Sequence, residues 1–365
     1  MVNDFFKTVL VRGWELSAKR NLRNKFKLYG PYKEIYSWGK YIRINEHKEL
    51  FKPLGCGINT EWYRYLTLVR QKEDPRYLPE DIWHLQIEPV LNQRSYAKAY
   101  NDKNLFHTLE EKALFPHAYL HIIMGICYDK DFHQISYNGA LDCIPDNKPF
   151  VVKKAIDSGG GKGVTFYNSK SSITYIQDLI KKHGNNLVVQ EKVVQHKWFR
   201  RFNPTSINTI RVVTYRSVLD ERVHALQMVL RVGKKDMQVD NQSSGGIAIG
   251  IDKHGKLNKW GYDKLSQCFT TVNDIDLSTV EEIPQFEHLK ETCINIARRR
   301  FHERVLVFDT WRDENNDIRL LEINNINIGI EDLQKNNGPL LGQFTEEVIE
   351  YCSHNKKFYC FDFEL

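Results

Sequence analysis

An α+β fold, preceded by a mainly helical and basic N-terminal region, is what the sequence predicts, and three observations carry that prediction. From about Leu91 onward, short apolar runs bounded by Gly, Asn and Asp clusters read as strands: Phe150 to Lys154, Leu187 to Gln190, Ile210 to Arg216, Val223 to Val232, Val305 to Trp311 and Ile318 to Ile323. Helical periodicities sit among them at Asp102 to Lys112, Gln177 to His183 and Phe286 to Phe301. Before residue 90 the pattern is helical, broken at Gly30-Pro31, Pro53, Gly55, Pro75 and Pro79. Strands mixed with helices suggest an enzyme-like α+β chain rather than a helical bundle.

The chain has 365 residues, enough for two or three domains or one multi-lobed enzyme. The expected division is 1–90, a basic helical region; 91–190, a part carrying a Gly-rich loop; and 191–365, a second lobe. Hydrophobic residues make up 41% and charged residues 27%, the balance of a soluble globular protein. No apolar run reaches the roughly 18 residues that span a bilayer, and Met1 to Leu10 does not read as a signal peptide. The seven cysteines are scattered without a C-x-x-C pair, which suits reduced thiols in the cytoplasm.

The net charge of +6 is concentrated at the N-terminus, where residues 1–52 hold twelve Lys or Arg against five Asp or Glu. Lys19 to Lys27 interleaves basic residues with Leu22 and Phe26. A solvated helix face, an anionic membrane surface and a nucleic acid all accept such a segment. No nucleic-acid motif follows it, so no nucleic-acid partner is expected. Peripheral contact with the inner face of a membrane, or with a lipid-linked sugar, stays open.

Two motifs carry chemistry. Lys153 ends an apolar run and is followed by Ser158-Gly159-Gly160-Gly161-Lys162-Gly163. Glycines let backbone N–H groups converge on phosphate oxygens, and a strand lysine adds a point charge for the same anion. The spacing fits neither a Walker A loop nor the kinase glycine loop, and a Gly-rich hairpin linker is the plain alternative. The second motif is Asp309-x12-Glu322-x-Asn324 on two apolar segments. A hairpin centred between Asn315 and Asn316 places Asp309 opposite Glu322, with Asn324 on the same face. Opposed carboxylates repel across a sheet. A hard cation removes that cost, and an all-oxygen donor set completed by phosphate suits Mg²⁺.

With these residues in order, the chain resembles ATP-grasp enzymes and, within them, the sugar-transfer-associated ATP-grasp proteins, from roughly Leu91 to the C-terminus. Asp102-Lys103-Asn104 resembles the family's first lysine segment, and Lys153 with the loop Ser158 to Val164 its second lysine and mobile glycine loop. Val189-Gln190-Glu191-Lys192-Val193 resembles the hinge strand that meets adenine through its backbone, and Asp309, Glu322 and Asn324 match its metal set. Ser206 to Thr214 and Asp240-Asn241 with Gly245-Gly246 are similar to the sugar-transfer subgroup. Lys154 stands where the family often has Pro, and no acidic residue for ribose is evident among Gln195, His196 and Trp198.

The resemblance implies two β-rich lobes clamping ATP. Lys103 and Lys153 are then expected on the α- and β-phosphates, Ser158, Gly159, Gly160, Gly161 and Gly163 around the γ-phosphate, and Gln190, Glu191 and Val193 at the adenine. Mg²⁺ is expected on Asp309, Glu322 and Asn324. Arg211 and Arg231, with Asn208, are candidates to hold the transferred phosphate or an acceptor carboxylate. His196, Arg200 and Arg201 read as surface or acceptor-side charges, and Asn325 and Asn327 have no assigned place. The implied activity is a carboxylate–amine ligase working through an acyl phosphate in surface polysaccharide (capsule) synthesis, joining an amino acid or amine to a uronic acid. A sugar-hydroxyl kinase and a non-catalytic nucleotide-binding module are the alternatives.

Overall fold

The computed structural model describes the chain except Met1, residues 28–33, 37–40, 56–57, Asp157, 159–162, 236–244, 357–358, 361–362 and Leu365. The N-terminal region is helical: α1 (Val2–Phe26), α2 (Ile44–Phe51), α3 (Glu61–Arg70), α4 (Glu80–Ile82), a π-helical turn Trp83–Ile87, α5 (Glu88–Leu91) and α6 (Arg94–Tyr100). No helix among the described residues is long and apolar enough to cross a membrane.

After α7 (Phe106–Leu109) the chain builds a six-stranded sheet in the order β3-β2-β1-β6-β4-β5. Its strands are β1 (Ala118–Ile123), β2 (Ile126–Asp129), β3 (Gln134–Ile135), β4 (Phe150–Lys154), β5 (Val164–Tyr167) and β6 (Leu187–Glu191). Alternation divides its faces. Leu120, Ile122, Phe150, Val152, Leu187 and Val189 are buried with Ala140 of α8 (Tyr137–Asp142) and with Ile176 and Leu179 of α9 (Ile176–His183). Val151 and Lys153, paired with Phe166 and Val164, point the other way.

Beyond α10 (Lys197–Arg200) come β7 (Thr209–Arg216), β8 (Val223–Val232), β9 (Ile247–Ile251), β10 (Leu257–Tyr262), β11 (Cys268–Phe269), the ribbon β12 (Thr271–Val272) and β13 (Ile275–Asp276), α11 (Phe286–Arg298), β14 (Val305–Arg312) and β15 (Ile318–Asn324). Seven of these strands form a sheet in the order β11-β10-β9-β8-β7-β14-β15. One face packs on α11, through Ile210, Val212, Leu230, Leu306, Phe308 and Ile323 against Phe286, Leu289 and Cys293. The other packs on the N-terminal region and on α12 (Glu331–Asn337) and α13 (Thr345–His354), through Val213, Tyr215, Val229, Val305 and Val307 against Phe51, Ile82, Trp83, Ile87, Leu333 and Val348. Phe51, Leu54, Leu78, Ile82, Trp83, Ile87 and Leu91 therefore share one core with the large sheet, while α3 packs in a separate cluster with Ile35 and Tyr41. A last ribbon, β16 (Tyr359–Cys360) and β17 (Phe363–Glu364), follows.

The β14–β15 hairpin pairs Asp309 with Glu322 and Val307 with Asn324, as the spacing predicts. Towards the turn the register slips: Thr310 pairs with Leu320, and Leu321 is the extra residue of a bulge. The bulge sends Leu320 into the α11 core while Glu322 keeps the opposite face. Asp313 closes the turn by accepting the N–H groups of Asn315 and Asp317, with Asn316 left-handed at φ 68°.

Two expected helices differ. Asp102 to Lys112 is not one helix, because its start is pinned as a turn. Asp102 accepts the Asn104 N–H, Lys103 N–H reaches Ala155 O at 3.1 Å, and Asn104 Oδ1 meets His121 Nδ1 at 3.0 Å. Phe286 to Phe301 stops at Arg298, and Arg299 and Arg300 turn to pair with Glu110.

Asn92, fully buried after α5, ties the N-terminal region to the strand ends. Its Nδ2 donates to Val305 O and Asn325 O, both at 2.7 Å, and its Oδ1 accepts the Val305 N–H at 2.9 Å. Asn92→Ala leaves these backbone groups unsatisfied and is expected to lower stability by about 2–4 kcal/mol in urea titrations. A loss below about 0.5 kcal/mol would mean that water replaces the amide.

Candidate active site

A cavity of about 1090 Å³ lies between the two sheets. One wall is the inner face of the small sheet, with Val151, Lys153, Val164 and Phe166. The other is the end of the large sheet, with Thr209, Arg211, Arg231, Val307, Asp309, Glu322 and Asn324. Residues 192–195 and 326–329 close its sides.

Asp309 is 4% exposed, and a carboxylate so buried needs partners. Arg211, directly opposite on β7, grips it with two hydrogen bonds, Nε to Oδ1 and Nη2 to Oδ2, both at 2.8 Å. Arg231, from β8, reaches Oδ2 at 3.2 Å. Burial alone pushes the Asp309 carboxyl up, but the two guanidiniums overcome it and hold it at about 2. The expectation places both arginines on a ligand anion; in this structure the anion they hold is the Asp309 carboxylate.

Glu322 is joined to the lysines. Lys103 Nζ lies 3.2 Å from Glu322 Oε2 and donates to Ser158 Oγ at 3.1 Å, and Ser158 Oγ donates to Lys154 O. Asn324 Nδ2 donates to Glu322 Oε1 at 3.3 Å. Lys103, Lys153, Ser158, Asp309, Glu322 and Asn324, drawn from four separate segments, thus share one cavity. Burial brings the Lys153 ammonium down to about 8, with Glu322 opposing that shift and Lys103 adding to it.

The donor set Asp309, Glu322 and Asn324 is all oxygen, as a hard cation requires. Arg211, Arg231, Lys103 and Lys153 surround it, so the residues fit a Mg²⁺ that arrives with phosphates rather than alone.

The other expected residues are placed differently. Glu191 lines the cavity, and its Oε1 accepts the His117 N–H at 2.8 Å. Val193 and Val194 also line it, and their backbone N–H groups bond to no acceptor among the described residues. Gln190 is buried within β6, between β1 and β4. Asn208 is fully buried and does not line the cavity: its Nδ2 donates to Gln195 Oε1, Phe199 O and Asn203 O, bracing the turn before β7. Gly163 takes φ 77° where β5 begins, and its carbonyl accepts the Lys154 N–H. A Cβ there would lie 3.1 Å from that of Lys154. Gly159, Gly160, Gly161, Asp240 and Asn241 lie outside the described residues.

Among the polar lining residues, Lys98, Asn101 and Thr205 carry no reading in the sequence, and Asn327, in the Asn-rich run after Asn324, has none beyond an unassigned place; Lys192 of the hinge segment and Arg200, read as a surface or acceptor-side charge, line the cavity too.

A family profile described as sugar-transfer associated ATP-grasp matches residues 84–348. The chain belongs to that family. As a sugar-transfer associated ATP-grasp protein it has the fold expected of it, two sheets facing each other across a cavity. Solved structures similar to this ATP-grasp chain include N5-carboxyaminoimidazole synthetase from Staphylococcus aureus complexed with ADP (10% identity, 72% of this chain and 54% of that one, TM-score 0.40). Another is D-alanyl-alanine synthetase A from Vibrio cholerae (13%, 71% and 66%, TM-score 0.41). A third is a biotin carboxylase–β-γ-ATP complex from Campylobacter jejuni (13%, 73% and 49%, TM-score 0.41). The chain spans about half the length of several solved structures it matches. No curated protein matches it.

Lys153 gives a pH signature. A polyphosphate favours its charged form, so the bound lysine titrates above 8 while the free one titrates at about 8. ATP affinity should hold steady below pH 8 and fall by up to about tenfold per pH unit above it. Near pH 9 binding should take up protons, measurable by calorimetry in buffers of different ionisation enthalpy. Lys153→Met should abolish the uptake; uptake unchanged in that variant would assign it to another group.

Proposed function

We propose that this chain is an ATP- and Mg²⁺-dependent ligase that activates a carboxylate as an acyl phosphate and passes the acyl group to an amine. The observation that carries this reading is the shared cavity: two lysines, a serine at the edge of a glycine loop and an all-oxygen acidic set line one space between two sheets. Bound at Asp309, Glu322 and Asn324, Mg²⁺ would supply charge neutralisation on phosphate oxygens.

The chain's own groups would do the rest. Lys103 and Lys153 hold the polyphosphate, and Ser158 aligns Lys103. Arg211 and Arg231 stand next to the metal set, where a guanidinium can receive a transferred phosphate or an acceptor carboxylate. Val151, Val164 and Phe166 give a base an apolar slot, and the backbone of Val193 and Val194 offers hydrogen bonds to its edge. Excluding water there protects a hydrolysable acyl phosphate.

The family's description ties the chain to sugar transfer; our reading places it in surface polysaccharide synthesis, with an amino acid or amine joined to a uronic acid. A cytoplasmic protein working there would meet the membrane's inner face. The exposed Phe6, Val9, Leu10 and Leu16 on α1, beside the basic run from Lys19, support peripheral contact with an anionic membrane.

The test incubates the protein with ATP, Mg²⁺, uronic acids and mixed amino acids, then measures ADP, phosphate and product mass. An amide with ADP and phosphate is expected; a hydroxylamine-resistant phosphorylated sugar would make it a kinase. Glu322→Ala should lower turnover by at least about 10²-fold while leaving the far-UV spectrum unchanged, and Asp309→Ala should lower it as far together with a loss of stability, read in a urea control, because Arg211 and Arg231 lose their shared carboxylate. Full activity in either variant would remove the metal assignment.

A further inference from the structure

Lys103 and Lys153 both line the cavity, and the fold holds them by different means. Lys153 sits in a strand ladder, opposite Val164 of β5 on one side and Val188 of β6 on the other. Backbone pairing alone fixes where its side chain starts. Lys103 has no ladder. It lies on the turn between α6 and α7, and its ammonium reaches across to Glu322 of the large sheet and to Ser158. A lysine on a turn points where its neighbours make it point.

Those neighbours are clamped to the small sheet. Asp102 Oδ1 accepts the Asn104 N–H at 2.9 Å, and the Lys103 N–H donates to Ala155 O, just beyond β4, at 3.1 Å. Asn104 is fully buried; its Oδ1 accepts from His121 Nδ1 at 3.0 Å, and its Nδ2 donates to Ile122 O at 3.5 Å. His121 therefore carries its proton on Nδ1. The ring is fully buried too, stacked on Phe132 with centroids 4.4 Å apart and met edge-on by His107 at 5.6 Å. Its Nε2 has no hydrogen-bond partner among the described residues. A buried nitrogen left unsatisfied costs stability, and a Phe would place a ring there without that cost. What His121 adds is one donor, aimed at Asn104. Burial brings the ring down to about 3, with His107 adding to the shift, so the donor stays neutral at physiological pH.

The register connects that donor to the second lysine. His121 pairs with Val188, and Val188 pairs with Lys153, so His121 and Lys153 stand in one row on one face of the small sheet, two strands apart. Their backbones are then separated by roughly 10 Å. Through Asn104, Lys103 is referred to the same row that carries Lys153. We propose that His121 is a positioning residue for the polyphosphate: its Nδ1–H, acting through Asn104, holds Lys103 at the spacing from Lys153 that a nucleotide's phosphates need. This deepens the reading above and rests on it, since it takes Lys103 and Lys153 as phosphate ligands.

The test is calorimetry of Mg²⁺–AMP-PNP binding to the full chain and its variants, each checked for folding by far-UV spectra and urea titration. His121→Phe keeps a ring on Phe132 but removes the donor, and should weaken binding about tenfold. His121→Asn, whose Nδ2 stands where Nδ1 stood, should stay within about threefold of the unmutated chain. Asn104→Ala breaks the same bond from the other side and should match His121→Phe, so either variant carries the prediction where the other does not fold. The deciding arm is a cycle with Lys103→Met. That variant alone should weaken binding at least about tenfold, and adding His121→Phe should weaken it no further. A second full loss in the double variant, unchanged affinity in His121→Phe, or an equal loss in His121→Phe and His121→Asn would overturn the positioning role. Lys103→Met without effect would remove Lys103 from the phosphate site and the proposal with it. No binding of Mg²⁺–AMP-PNP to the unmutated chain would instead overturn the nucleotide reading itself.

Discussion

The ion pairs joining Asp309 to Arg211 and Arg231 are what the rest of the site depends on. They cross three neighbouring strands, β14, β7 and β8, and bury a carboxylate that would otherwise be too costly to desolvate. Removing one partner of such a group typically costs about 3–5 kcal/mol, because the remaining charge stays buried. Asp309 is therefore a structural residue as well as a candidate ligand, and a folding control belongs with any variant of it. The bulge at Leu321 serves the same corner. Without it, Leu320 and Glu322 would share a face, and either the α11 core or the cavity would receive the wrong side chain.

A second constraint comes from the N-terminal region. Its helices supply one side of the core on the large sheet, and through Trp83, Glu88 and Asn92 they hold the chain from Asn325 to Ile328. That loop follows Asn324 without a break, so the geometry of the end of β15 and of the cavity's corner are set together. Glu88 shows how local the fixing is: it sits where a π-helical turn passes into α5, a geometry that recurs at functional sites.

Much of this was legible in the sequence. Strands with clear alternation or apolar runs, such as Phe150–Lys154 and Val223–Val232, were found at their bounds, and the pairing of Asp309 with Glu322 follows from counting across a turn. The bulge was not legible, since two consecutive leucines fit either register. The β1–β2 hairpin escaped because β2 is short and its turn uses Met124 in a left-handed conformation, an unusual residue there. The Arg211–Asp309 pair joins residues 98 apart through a strand order that only tertiary pairing decides. Arg200 reads in the sequence as a surface or acceptor-side charge, and Lys98 carries no reading there; what sets both apart is the cavity beside them, which no local pattern encodes.

Asp309 and Lys153 hold charge in two different ways. Asp309 is locked. Burial raises its pKa, but Arg211 and Arg231 bring it to about 2, so the ion pairs contribute stability above the unfolded pKa, lost only as pH falls through about 2. At neutral pH the carboxylate stays ionised whether or not a ligand is present. Lys153 is poised instead. Burial lowers its pKa to about 8, so at neutral pH the folded chain keeps an ammonium in an unfavourable place. That cost is fully present below about 8 and is relieved as pH rises towards the unfolded value. An anion beside Lys153 would relieve it as well. The locked carboxylate stays ionised across the neutral range, while the poised ammonium would favour an anion beside it over a cation.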